Sequence, residues 1–186
     1  MLHYIYKAGL YIAGWKAVGM VPPHLKKFVL VVAPHTSSWD VVLGFAFRSA
    51  LQLGRIRFIA KKELFQPPFG NLFKWVGGVP VDRSASHNFV DQVVDLFNKA
   101  PAFAIALSPE GTRKKVDRLK TGFYHIARKA GVPLILLAVD YKNKEFRFSA
   151  PIITSESEAG DIKRILLFFA GATGKHREDG IGHLVG

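Results

Sequence analysis

Residues 31–40 read VVAPHTSSWD: an apolar run stops at a proline, and His35 and Asp40 follow five positions apart. A histidine side chain, with a reference pKa of about 6.5, takes up a proton near neutral pH. A carboxylate on its other ring nitrogen fixes the tautomer and stabilises the imidazolium. The pair is therefore equipped for general-base chemistry. Asp40 is also the only acidic residue up to Lys62, in a stretch carrying many lysines and arginines. A carboxylate there calls for a specific partner, and His35 is the nearest candidate. The structural alternative is a carboxylate satisfying a helix N-terminus beside a strand-end histidine.

For the two side chains to meet, the backbone must change character between them. On one regular helix they would point roughly 140° apart, at about 100° per residue. His35 must therefore lie on a loop and Asp40 in the helix that follows. The sequence allows this. KFVLVVA, residues 27–33, reads as a buried strand; Thr36, Ser37 or Ser38 can cap; and WDVVLGFAFRSAL has helical apolar spacing. The pair would then sit at the carboxyl end of a strand, where α/β sheets place ligands. Further strands are expected at residues 57–60, 79–82, 102–107, 134–140 and 146–152, and helices at 88–99, 122–129 and 159–169. This alternation predicts an α/β fold. Pro80 cannot donate to a ladder, which places its strand at an edge or makes it irregular.

The 186 residues suit one domain with a continuous core, and no linker, repeat or low-complexity tract divides them. The absence of cysteine removes disulfides, thiolate zinc sites and a cysteine nucleophile. A net charge of +12 predicts a phosphate-bearing partner: nucleic acid, an anionic membrane surface or a phosphorylated small molecule. No RNA-recognition, zinc-finger or helix-turn-helix signature is present, so nucleic acid is not the expected partner. The segment YIYKAGLYIAGWKAVGMV, residues 4–21, is apolar and aromatic but broken by Lys7, Lys16 and three glycines. It is too interrupted for a membrane span, and Lys16 argues against a cleaved signal peptide. An interfacial segment with snorkelling lysines is expected, against the alternative of a helix packed on the domain's own core.

Three further stretches carry candidate chemistry. GGVPVDRS (77–84) ends a short strand in Asp82 and Arg83. SPEGTRKK (108–115) follows an apolar strand, and Gly111 permits a tight turn that brings Glu110 and Arg113 towards one site. GVPLILLAVDY (131–141) reads as a buried strand. Each of the first two is otherwise a solvated loop, and the third otherwise plain core. No Gly-x-Ser-x-Gly elbow supplies a serine nucleophile. His35 and Asp40 lack a third metal ligand in sequence, with His125 the candidate that folding could bring near.

In this order, His-x4-Asp after a strand, GGVPVDR, PEGTR and GVPLILLAV resemble the four sequence blocks of the glycerolipid acyltransferase superfamily. The likeness spans roughly residues 30 to 140. It implies a single-domain mixed sheet flanked by helices, with an apolar N-terminal helical segment. His35 would be the general base and Asp40 its orienting partner. Arg83 matches an arginine associated with the acceptor's phosphate. Glu110, Gly111, Thr112 and Arg113 match an acceptor-binding block, while Lys114, Lys115 and Lys120 are candidate contacts to phosphate or to coenzyme A. Two departures stand out: Pro34 precedes the histidine where asparagine is common, and Pro80 replaces an ordinary strand residue.

The implied activity is acyl transfer from a thioester, delivered by coenzyme A or acyl carrier protein, to the hydroxyl of a lysolipid. The foremost acceptor is 1-acyl-sn-glycerol-3-phosphate. No metal and no cofactor beyond the co-substrate is expected. The implied organisation is a membrane-interfacial segment at 1–24, an acyltransferase domain at 25–175 and a tail at 176–186, lying peripherally on an anionic membrane, cytoplasmic face. The alternatives are a lyso-aminolipid or other non-phosphate acceptor, a lipid esterase, or a membrane-binding module.

Overall fold

The computed structural model describes residues 2–68, 70–81 and 86–185. Seven strands form one mixed sheet: β1 (Lys16–Val18), β2 (Lys27–Ala33), β3 (Ile56–Lys61), β4 (Gly78–Val81), β5 (Phe103–Leu107), β6 (Leu134–Asp140) and β7 (Glu145–Phe148). Their order is β1-β7-β6-β2-β5-β3-β4. All neighbours run parallel except β6 and β7, which are antiparallel. The helices are α1 (Leu2–Ile12), α2 (Trp39–Ala50), α3 (Gly70–Trp75), α4 (Ser86–Lys99), α5 (Gly122–Ala130) and α6 (Glu158–Phe169). This is the expected α/β fold with a mixed sheet. Pro80 lies on β4, an edge strand, where its missing N–H leaves no central ladder unsatisfied.

Strand alternation divides the core into two layers. Val29, Val31, Ile105, Leu134 and Leu136 face one side, where Val93 and Phe97 of α4, Phe123 and Ile126 of α5, and Ile165 and Phe169 of α6 cover them. Phe28, Leu30, Ala104, Ile135 and Leu137 face the other, against Phe47 and Ala50 of α2 and Leu10 of α1. β6 is buried along its whole length because both faces are covered, hence its unbroken apolar run. Each fully buried Leu, Ile or Phe in these layers contributes about 1.5–3 kcal/mol relative to exposure.

Both ends of the chain are tied to this framework. β1 pairs with β7, and Trp15 packs against Tyr141 and Phe146 with ring centroids 5.2 and 4.8 Å apart. The N-terminal segment thus contributes an edge strand and a core ring, while α1 keeps Tyr4, Ile5, Tyr11 and Ile12 exposed. The residues expected to form a tail instead pack on the domain: Ile181 is buried, and His183 lies against the Val116 carbonyl at 2.8 Å. The expected last strand at 146–152 is shorter, with Ile152 retaining one isolated bridge to Leu134.

Candidate active site

β2, β5 and β6 are adjacent parallel strands, and their carboxyl ends deliver His35, Glu110 and Tyr141 to one place. The chain leaves β2 through a loop, with His35 on it, and enters α2 at Trp39. Asp40, in the first turn, reaches back over that loop. Its Oδ2 accepts from the Thr36 and Ser37 amides, each at 2.8 Å, and lies 3.0 Å from His35 Nδ1. Its Oδ1 accepts from the Tyr141 hydroxyl at 2.5 Å. Of the expected caps, Ser38 occupies the capping position with no side-chain cap bond, Ser37 Oγ accepts from the Trp39 amide at 3.3 Å, and the carboxylate of Asp40 satisfies the loop amides.

With Asp40 accepting at Nδ1, that nitrogen carries the proton and the Nε2 lone pair is the ring's free acceptor. The Asp40 side chain is only 6% exposed and that of His35 25%. Burial opposes ionisation of Asp40. Hydrogen bonds from His35, Tyr141 and the Ser37 amide outweigh it, so the carboxyl is held below its ordinary range. Burial, with the Asp40 carboxylate beside it, pushes the Tyr141 phenol up, so it stays a donor.

Glu110 bonds to the histidine's own backbone. It is buried, its Oε1 accepts from the His35 amide at 2.8 Å, and its Oε2 accepts from Ser108 Oγ at 2.7 Å. It fixes the backbone from which the histidine projects. Desolvation raises its carboxyl above the ordinary value despite those two donors. Gly111 follows in the left-handed region at φ 64°, which lets the chain turn out of the interior at once. Lys120 closes the loop through its amide, 2.7 Å from the Pro109 carbonyl, and its side chain lies against Gly111.

A cavity of about 370 Å³ is lined by His35, Asp40 and Ser108 and by residues of α2 and the sheet. Because α2 runs back along the strands, Arg48 lies at the opposite end, hydrogen-bonded to the Val76 and Gly54 carbonyls at 2.9 and 2.7 Å. The walls are mostly apolar, and the small residues Gly44 on α2 and Ala106 on β5 are among those that line it. A larger groove, about 580 Å³, lies between α6 and Leu184, away from the histidine. The cavity at His35 is the one attached to groups that can do chemistry.

Residues 18–140 match the family model described as Acyltransferase. The chain belongs to the acyltransferase family. The 1-acyl-sn-glycerol-3-phosphate acyltransferase of Escherichia coli K12 is 32% identical over 116 residues, covering 59% of this chain and 46% of that protein. The Haemophilus influenzae protein of the same name is 30% identical over 131 residues, covering 66% and 52%. The chain thus spans about half the length of the curated relatives it matches. The crystal structure of the 1-acyl-sn-glycerophosphate (LPA) acyltransferase PlsC from Thermotoga maritima has the same fold, with a TM-score of 0.62 at 19% identity. It covers 98% of this chain and 78% of that one.

In this acyltransferase-family chain the structure brings together His35, Asp40, Glu110 and Arg113, whose Nη1 donates to Ser38 Oγ beside the dyad. Thr112, Lys114, Lys115 and Lys120 lie exposed on the same loop as Arg113, with the Lys115 amide 3.1 Å from Asp179 Oδ1. Arg83 lies outside the described residues. His125 instead lies 3.7 Å from Glu158 of α6. Tyr141 was not singled out from sequence. Its one signal was a hydroxyl-bearing ring placed just where a buried strand ends.

Proposed function

We propose that this chain transfers a fatty acyl group from an acyl thioester to the free hydroxyl of a lysolipid, with 1-acyl-sn-glycerol-3-phosphate, the acceptor in its relatives' names, foremost. The observation that carries this reading is the His35–Asp40 pair standing in the lining of an otherwise apolar cavity. The cavity takes the acyl chain and presents its carbonyl to the histidine. His35 Nε2 accepts the hydroxyl proton as the acceptor oxygen attacks that carbonyl. The C–O bond forms, the C–S bond breaks, and the imidazolium returns the proton to the departing thiolate. Asp40 stays ionised throughout and stabilises the imidazolium. A thioester is already activated, so the pathway needs no covalent acyl-enzyme.

Coenzyme A or acyl carrier protein delivers the chain as co-substrate. Arg113, with Lys114, Lys115 and Lys120 on its loop, supplies positive charge for a phosphate, as does Arg83 in the sequence-based assignment. The protein works peripherally on an anionic membrane, on its cytoplasmic face. Among the described residues no helix is long and apolar enough to cross a membrane, while α1 and Trp39 present exposed apolar surface.

The test crosses both thioester donors with lysophosphatidate, a monoacylglycerol and a lyso-aminolipid. Fastest transfer to lysophosphatidate is expected. Preference for the lyso-aminolipid would overturn the acceptor, hydrolysis without any acceptor would mark an esterase, and no turnover of any pair would overturn the enzyme reading.

A further inference from the structure

Two stretches outside residues 18–140, the part matched by the family model, converge on one residue. From the N-terminal side, Trp15 packs edge-on against the Tyr141 ring, centroids 5.2 Å apart at 87°. From the C-terminal side, the Tyr141 amide donates to the Thr173 carbonyl at 2.8 Å, and Thr173 donates in turn to buried Asp140 at 3.2 Å. The same C-terminal stretch then reaches the histidine loop. The His176 amide donates to Thr36 Oγ1 at 3.1 Å, and a Cβ on Gly174 would come within 2.6 Å of the Thr36 side chain. Thr36 and Tyr141 both donate to Asp40, one to each oxygen.

We infer that Tyr141 is a positioning residue for the dyad and that residues 173–176 form a hook holding Tyr141 and the histidine loop in register. The inference rests on the general-base reading of His35. Without the Tyr141 hydroxyl, Oδ1 of Asp40 loses its donor and the carboxylate can rotate away from Nδ1. The hook fixes the other oxygen by confining Thr36, and it can approach so closely because Gly174 has no side chain. The charged and titratable groups that face the dyad are Glu110 at the His35 amide, Arg113 on Ser38, Lys175, 4.8 Å above the Trp39 ring, and His176. A Tyr141→Phe substitution leaves all of them in place and removes one hydroxyl.

The experiment is steady-state acyl transfer to lysophosphatidate by wild type, His35→Ala, Tyr141→Phe and Gly174→Ala, with kcat and KM across pH and a melting temperature for each. Tyr141→Phe should lower kcat about tenfold while both KM values stay within about twofold, the usual cost of losing an outer partner of a histidine–carboxylate pair. Gly174→Ala should lower kcat in the same way without raising KM. Unchanged kcat in both variants would overturn the inference, as would a fall in kcat accompanied by a raised KM and a lowered melting temperature, which marks general structural loss. If wild type is inactive or His35→Ala is as active as wild type, the general-base reading itself fails. If His35→Ala is dead and Tyr141→Phe behaves as wild type, the positioning role alone fails.

Discussion

Asp40 and Glu110 each accept a hydrogen bond from His35, yet burial leaves them on opposite sides of the ordinary carboxylate range. The difference is the number of donors. Asp40 collects two amides, an imidazole and a phenol, and its carboxyl is lowered; Glu110 has the His35 amide, the Ser108 hydroxyl and its own amide, and desolvation wins. The signs follow from proton linkage. A lowered carboxyl contributes stability above its unfolded value and loses it as pH falls through the folded one, so Asp40 supports the fold at neutral pH. A raised carboxyl favours the folded state while protonated and loses that advantage as pH rises from the unfolded to the folded value, so ionised Glu110 costs stability. Glu110→Gln keeps an oxygen for the His35 amide and offers an N–H to Ser108, without the buried charge. Melting curves from pH 4 to 8 should show it at or above wild type at pH 7, with the gap widening as pH rises. A wild type more stable than Glu110→Gln at pH 7 would contradict this account. Sequence singled out Glu110 through its match to the acceptor-binding block, and its bond to the His35 amide was not legible there. Its burial depends on β2 and β5 being neighbours, which no local pattern encodes.

At the scale of elements, α2 supplies Asp40 at one end, Arg48 at the other and one wall of the cavity between. Its interior glycine is the informative position. A Cβ on Gly44 would meet nothing within 4 Å, so the backbone tolerates a side chain and the cavity would receive it. Gly44→Ala should stabilise the helix by up to about 1 kcal/mol. Gly44→Leu should lower kcat/KM for a long-chain donor about tenfold or more and spare a short-chain donor, read from a donor series of increasing length. Equal losses for all chain lengths would show that the acyl chain lies elsewhere. β2 and β6 were legible to the residue because strands covered on both faces read as unbroken apolar runs. β1 was not: Lys16, Ala17 and Val18 are all exposed, and their strand state is imposed by the edge of β7. Tyr141 escaped notice for a related reason, since its partner Asp40 stands 101 positions away in the chain.

For the whole molecule, a charge of +12 and the exposed Ile5, Tyr11 and Ile12 of α1 predict attachment to an anionic lipid surface. Removing residues 1–20 would also remove β1 and Trp15 from the fold, so serine substitutions at those three exposed positions isolate the surface term. Co-sedimentation should favour anionic over neutral vesicles, weaken with salt, and fall further in the triple variant at an unchanged melting temperature. Equal binding to neutral and anionic vesicles would contradict the electrostatic part. The central claim is that the intact chain, with His35 as its base, joins a thioester's acyl group to a lysolipid hydroxyl. The most direct measurement is phosphatidate formation from lysophosphatidate and an acyl thioester by purified wild type and by His35→Ala. Product is expected from wild type, and a rate at least about a hundredfold lower from His35→Ala, with the two proteins melting alike. Transfer at the wild-type rate by folded His35→Ala protein would contradict that claim.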